Sequence, residues 1–201
     1  MTGRRRLTRD ERRDHLLDVA AALVTEAGFE AVTMEGVAGR AGVSKGLGYA
    51  YFTNRDELLA ALFDREMGTM DAAVARAEAA TSAVGGSFED RLRSIITAGL
   101  DVVAKRGVLI GALLRGKAPD GPLELKRHAR QAVIEHYLTE LVVTEYGLSE
   151  RAAETAVGIL LGGYAAALDQ WVHGRATREE ITDTFVHLAA GGLRRLSSGT
   201  A

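Results

Sequence analysis

An all-α protein with a helix-turn-helix near its amino end is what this sequence predicts, and three observations carry the prediction. Both prolines, Pro119 and Pro122, fall in one stretch, "RGKAPDGP". Nearly every other segment repeats its apolar residues at helical spacing, with little β-branched alternation. Between Thr33 and Tyr49 a short helix, a glycine turn and a second short helix follow one another, each helix preceded by a hydroxyl residue suited to cap it.

The first helix is expected from about Asp10 to Ala27, with Leu16, Ala20, Leu23, Val24 and Ala27 on one face. Gly28 suits the left-handed residue that ends a helix, and Phe29 beyond it can fold back on Val24. Thr33 caps the next helix, with Val32 and Val37 spaced as a hydrophobic staple. That helix ends near Ala41, Gly42 turns the chain, and Ser44 caps a further helix from Lys45. Longer helices are expected at 55–83, 87–105, 107–115, 122–146, 149–174 and 177–197, about nine in all. The breaks are "TSAVGGS", "AKRG", "GKAPDGP", "YGLS" and "HGRAT". Ser149 and Thr177 open the last two, Thr177 with Glu180 in a capping box.

With 201 residues and 47% hydrophobic content, the chain can form a small domain and a medium one. We expect them at 1–55 and 56–201. Cysteine is absent, which removes disulfides, thiolate metal sites and a cysteine nucleophile. The longest apolar run, "AVGILLGGYAAAL", stops at Asp169 and is too short to span a bilayer, so a soluble, cytoplasmic protein is expected. Net charge is −2, but residues 1–55 carry nine Lys/Arg against seven Asp/Glu, and six of those arginines lie in the first thirteen residues. This asymmetry fits an amino end that meets nucleic acid, and it fits a solvated tail equally well.

The run from Leu16 to Leu59, "LLDVAAALVTEAGFEAVTMEGVAGRAGVSKGLGYAYFTNRDELL", resembles the amino-terminal domain of TetR-family transcriptional regulators. Ala20, Gly28, Phe29, Thr33, Val37, Ala38, Ala41, Gly42, Val43, Ser44, Gly46, Tyr49, Tyr51, Phe52 and Leu58 match at the family's spacing without a gap. The resemblance implies a DNA-reading head in which Lys45, Gly46, Leu47, Tyr49 and Ala50 face the major groove. Thr33, Ser44, Tyr49, Tyr51 and Arg55 would lie near phosphates, and Arg40 would add a phosphate or base contact. Arg4 to Arg6 form a candidate minor-groove arm.

Two residues depart from the family. Position 47, commonly a small hydroxyl residue, is Leu, which can touch a thymine methyl but cannot hydrogen-bond a base. Position 48, commonly Leu, is Gly, which removes the staple partner of Val43. We therefore expect Leu47 to rotate inward to fill the gap, leaving a loose reading helix.

The family also implies that the remaining helices hold a small-molecule effector and form a homodimer, most often of a repressor released from a palindromic operator by its ligand. Gly158, Gly162 and Ala166 recur every four residues, a stripe that lets another helix approach closely. With Phe185 and Gly192 they are the candidate dimer residues, although packing within the chain would use such a stripe equally well. Candidate ligand contacts are Phe63, Met67, Met70, Ile96, Leu100 and Val103, with His136, Tyr137, Tyr164, Asp169 and Trp171 as polar or aromatic members. That lining is mostly apolar and fits a hydrophobic or aromatic molecule.

Catalysis finds no support. The five histidines form no HExxH, and no Walker loop occurs. Asp169 with His173 and Glu124 with His128 are spaced as surface ion pairs. No cofactor, metal or catalytic residue is expected. Two other functions remain open: an activator of the same family, and a helical interaction module that never touches DNA.

Overall fold

The computed structural model describes residues 7–115 and 121–199, so the Arg4 to Arg6 arm and the segment around Pro119 lie outside the described residues. Within the described residues there are eight α-helices and no strand. They are α1 (Arg9–Ala27), α2 (Met34–Arg40), α3 (Lys45–Tyr49), α4 (Arg55–Ala83), α5 (Phe88–Arg115), α6 (Pro122–Tyr146), α7 (Glu150–Val172) and α8 (Arg178–Ser198).

Caps set most of the starts. Thr8 opens α1 with a capping box: its hydroxyl accepts from the Glu11 amide at 3.2 Å, and the Glu11 carboxylate accepts from the Thr8 amide at 2.8 Å. α1 buries Leu16, Leu17, Val19, Ala20, Ala21 and Val24, a wider face than expected, and leaves Ala27 exposed. Gly28 follows with φ 77° and ψ −178°, an extended positive-φ conformation rather than the left-handed helical one. A turn of 3-10 helix at Phe29–Ala31, which periodicity did not reveal, connects it to α2.

Ser149 and Thr177 cap α7 and α8 as expected, Thr177 in a full capping box with Glu180. The expected break at "AKRG" is only a one-residue interruption of α5, at Arg106 (φ −138°, ψ 26°), so two predicted helices are one and nine become eight. The side chain at that kink is engaged by Glu66, whose two carboxylate oxygens each accept from Arg106 at 2.8 Å while Glu66 itself is buried.

The described residues form two compact units. One gathers residues up to Gly68 with those from Arg106 to His128; the other gathers Thr69 to Lys105 with Ala129 onward. A cut at residue 55 does not coincide with this division. α4 starts at Arg55 and buries Leu58, Leu59, Leu62 and Phe63 within the first unit, where that stripe would otherwise face water. Each such leucine contributes about 1.5–3 kcal/mol on burial. In the second unit α7 packs on α8. One cluster there joins Val142, Leu148, Ala153, Val157 and Leu193; another joins Ile96, Leu100 and Val186.

Candidate nucleic-acid interface

α2, the turn at Gly42 (φ 66°) and α3 form a helix-turn-helix, and α1 packs against α2. The Thr33 hydroxyl accepts from the Gly36 amide at 3.0 Å, and the Ser44 hydroxyl accepts from the Leu47 amide at 3.2 Å. These caps satisfy amides that a short helix would otherwise leave bare. Val32 and Val37 are both buried, as a staple requires.

The rotational setting of α3 differs from the expectation. Leu47 does not turn inward: it remains 38% exposed, while Gly48 is the buried residue of α3. A Cβ built on Gly48 would stand 3.4 Å from the Ala38 Cβ, so this position of α3 faces Ala38 of α2. Moving Leu47 inward would require turning the helix by about 100°, which the Ser44 cap opposes. Lys45, Gly46, Leu47, Tyr49 and Ala50 are all exposed as a consequence, with Thr33 and Ser44 also at the surface and Tyr51 half-buried.

The cations near this face are already engaged. Arg40 makes a two-pronged pair with Glu26 at 2.5 and 2.6 Å. Lys45 lies 2.5 Å from a Glu35 carboxylate oxygen and 5.8 Å from the centre of the Tyr49 ring. The hydrogen bonds from Arg40 and from Lys45 hold Glu26 and Glu35 below the ordinary carboxylate range. Arg55 donates to the carbonyls of Val32 at 2.8 Å and Phe29 at 2.7 Å, tying the start of α4 to the segment between α1 and α2. Glu26 and Glu35 were not legible as partners, since fourteen residues separate Glu26 from Arg40 and only the fold closes that gap.

Of the candidate ligand residues, Phe63 and Met67 are buried in the first unit. In the second unit Tyr164 and Trp171 pack on Ile96 and Leu100, whereas Met70 is half-buried and Val103 buried. Desolvation pushes the Tyr164 hydroxyl up to about 12. Tyr137 is exposed and donates to Glu78; burial of part of its ring, then that bond, raises it to about 12. His136 is exposed beside Glu140, and Asp169 pairs with Arg175 at 2.7 Å and His173 at 3.3 Å. The Glu124–His128 pair also forms, at 3.7 Å.

Among the candidate dimer residues, Phe185 turns into this same cluster, its ring edge-on to Tyr164 with centroids 5.4 Å apart. Gly158, Gly162, Ala166 and Gly192 are exposed, and a Cβ on any of the three glycines would meet nothing within 4 Å. Ile159 and Leu188, also on α7 and α8, are 71% and 69% exposed. Among the described residues the small-residue stripe is therefore not consumed by packing within the chain. Among the described residues no group of three metal-ligating side chains occurs, and no helix is long and apolar enough to cross a membrane.

Residues 16–62 match the family described as "Bacterial regulatory proteins, tetR family". The chain is 35% identical over 98 residues to the HTH-type transcriptional activator FasR of Mycolicibacterium smegmatis, covering 49% of this chain and 43% of that protein. It is 38% identical over 86 residues to the HTH-type transcriptional repressor KstR of the same organism, covering 43% of this chain and 40% of that protein. These matches thus span less than half the length of either relative. The likeness to a solved structure extends further: a TetR-like transcriptional regulator from Rhodococcus sp. RHA1 superposes with a TM-score of 0.71 at 26% identity, covering 94% of this chain and 98% of that one. FadR from Bacillus subtilis, solved with stearoyl-CoA, shares the fold at a TM-score of 0.69 and 19% identity, covering 88% of this chain and 96% of that one. The names of these relatives are those of transcriptional regulators; residues 16–62 of this chain match the tetR-family segment, and its described helices share the fold of a TetR-like regulator.

Proposed function

We propose that the protein is a homodimeric, cytoplasmic DNA-binding regulator that represses transcription from a palindromic operator and is released by a small hydrophobic or aromatic ligand. The observation that carries this reading is the outward face of α3: Lys45, Leu47 and Tyr49 stand exposed on a capped helix seated on α2 through Gly48. A helix so presented can enter a major groove. Thr33, Ser44 and Tyr51 supply hydroxyls for phosphates, and Arg40 adds a charge. For Arg55 the two carbonyl bonds favour a positioning role over a direct phosphate contact.

Two reading heads give specificity that one short helix lacks, because half-sites multiply. The exposed stripe of α7 and α8, with Ile159 and Leu188 beside it, favours dimerisation through these helices. The functional division is then a reading head over residues 1–55 and an effector and dimer region over 56–201. The aromatic cluster of Tyr164, Trp171 and Phe185 around Ile96 and Leu100 supports an apolar effector. The stearoyl-CoA in the FadR structure suggests an acyl thioester as a first probe.

The test is fluorescence anisotropy against duplex from upstream of the coding region at two salt concentrations, with random duplex as control and sedimentation to count subunits. Saturable, salt-sensitive binding by two subunits is expected. Leu188→Glu should yield monomers and lose the affinity. Affinity no better than for random duplex, or a Leu188→Glu dimer that binds normally, would refute the respective half of the reading.

A further inference from the structure

Between Thr33 and Arg55 there are three cationic side chains, Arg40, Lys45 and Arg55, and all three have partners inside the chain. Arg55 donates to two carbonyls and also lies 3.8 Å from an Asp56 carboxylate oxygen. The other two serve carboxylates that stand at the surface: Glu26 and Glu35 keep side-chain exposures of 53% and 55%, and their cations keep 42% and 64%. Glu35 sits in the first turn of α2, and Lys45 is the first residue of α3, so this pair lies on the helix that would read bases.

Sequence-independent affinity for a duplex scales with the number of phosphates that free cations neutralise, because each releases condensed counterions. A cation paired with its own carboxylate contributes little until that pair opens. Opening an exposed pair costs little, a cost that base and phosphate contacts in the correct register can offset. On random duplex those contacts are missing, and the carboxylates stay as competitors and as like charges facing the backbone.

We propose that Glu26 and Glu35 are specificity-determining residues, holding Arg40 and Lys45 in exposed ion pairs that suppress binding to random duplex. This inference rests on the DNA-reading function proposed above. It differs from simple repulsion by an acidic surface, since the effect of each glutamate must run through its own cation.

The experiment uses the full chain and a random-sequence duplex, followed by anisotropy across roughly 50–200 mM salt. Glu35→Gln keeps the side-chain shape and removes the charge; it is measured alone and on a Lys45→Gln background. Glu26→Gln is treated likewise with Arg40→Gln, and circular dichroism verifies that each variant is folded. Each glutamine variant should tighten random-duplex binding by about threefold, within the range for an exposed pair. Its log–log salt slope should steepen by about 0.9 per reading head. Both changes should vanish when the partner cation is absent. Unchanged affinity and slope, or an equal gain on the cation-free background, would overturn the proposal while leaving DNA binding intact. If the parent protein binds no duplex at any salt, the DNA-reading function itself fails, and the inference with it.

Discussion

Replacing Gly48 by alanine tests the packing of the reading helix directly. α3 has five residues, two of them glycine, and an interior glycine costs a helix about 0.8–1 kcal/mol relative to alanine. At Gly48 the backbone does not have positive φ, and the added Cβ would sit 3.4 Å from the Ala38 Cβ, an ordinary contact. The methyl would also be buried, which contributes up to about 0.8 kcal/mol. Gly48→Ala is therefore expected to stabilise the protein by about 1.5 kcal/mol, equivalent to about 3–6 °C in Tm for a chain of this size. Gly46 supplies the comparison: it is exposed, and its Cβ would meet nothing within 4 Å, so Gly46→Ala isolates helix propensity. Urea and thermal melts of both variants, followed by circular dichroism, give the answer. Stabilisation by Gly46→Ala together with destabilisation by Gly48→Ala would refute the reasoning, because α3 would then need bare backbone against Ala38.

Three further outcomes are expected. Arg55→Gln should cost about 2 kcal/mol in urea melts, since charged hydrogen bonds to the Phe29 and Val32 carbonyls are lost from a half-buried site. Glu66→Gln should cost about 3 kcal/mol, the lower end for a broken buried pair: Arg106 loses its counter-charge but is half exposed, and Arg65 keeps Asp18 at 2.8 Å. Acid should weaken the fold through Glu57 and Glu180. The Thr53 hydroxyl and amide lower Glu57, and the Thr177 amide and hydroxyl lower Glu180, both from the ordinary 4.5. A depressed folded value means stability that is present above the unfolded value and lost as pH falls through the folded one. The Tm should therefore hold steady above about pH 5.5 and decline below about pH 4.5, a profile that Glu57→Gln flattens.

Capping residues and apolar spacing were sufficient to place most helices. Thr33, Ser44, Ser149 and Thr177 act within three residues of themselves, and such local bonds are written in the order of the chain. α4 and α6 fall on their expected bounds, and Lys45, Gly46, Leu47, Tyr49 and Ala50, the outward set that the family resemblance implied, are exposed. The rotation of α3 was not readable. Whether Leu47 or Gly48 faces inward depends on how near α2 lies, a distance set by Ala38 across the turn rather than by any residue of α3. The kink at Arg106 was misjudged as a full break because glycine propensity is local, whereas the Glu66 carboxylate that holds Arg106 is forty residues away.

Charge illustrates the same division. Composition places a net positive charge in the first 55 residues, and that much follows from the residues alone. Folding then brings Glu26 to Arg40, Glu35 to Lys45 and two backbone carbonyls to Arg55. Ion pairs act over a few ångströms and are indifferent to separation along the chain. Local residues were enough for most helices, for the caps at Thr33, Ser44, Ser149 and Thr177 and for the resemblance to the TetR family; which cations are engaged, which glycine is buried and which stripe stays open depend on contacts between residues far apart in the chain.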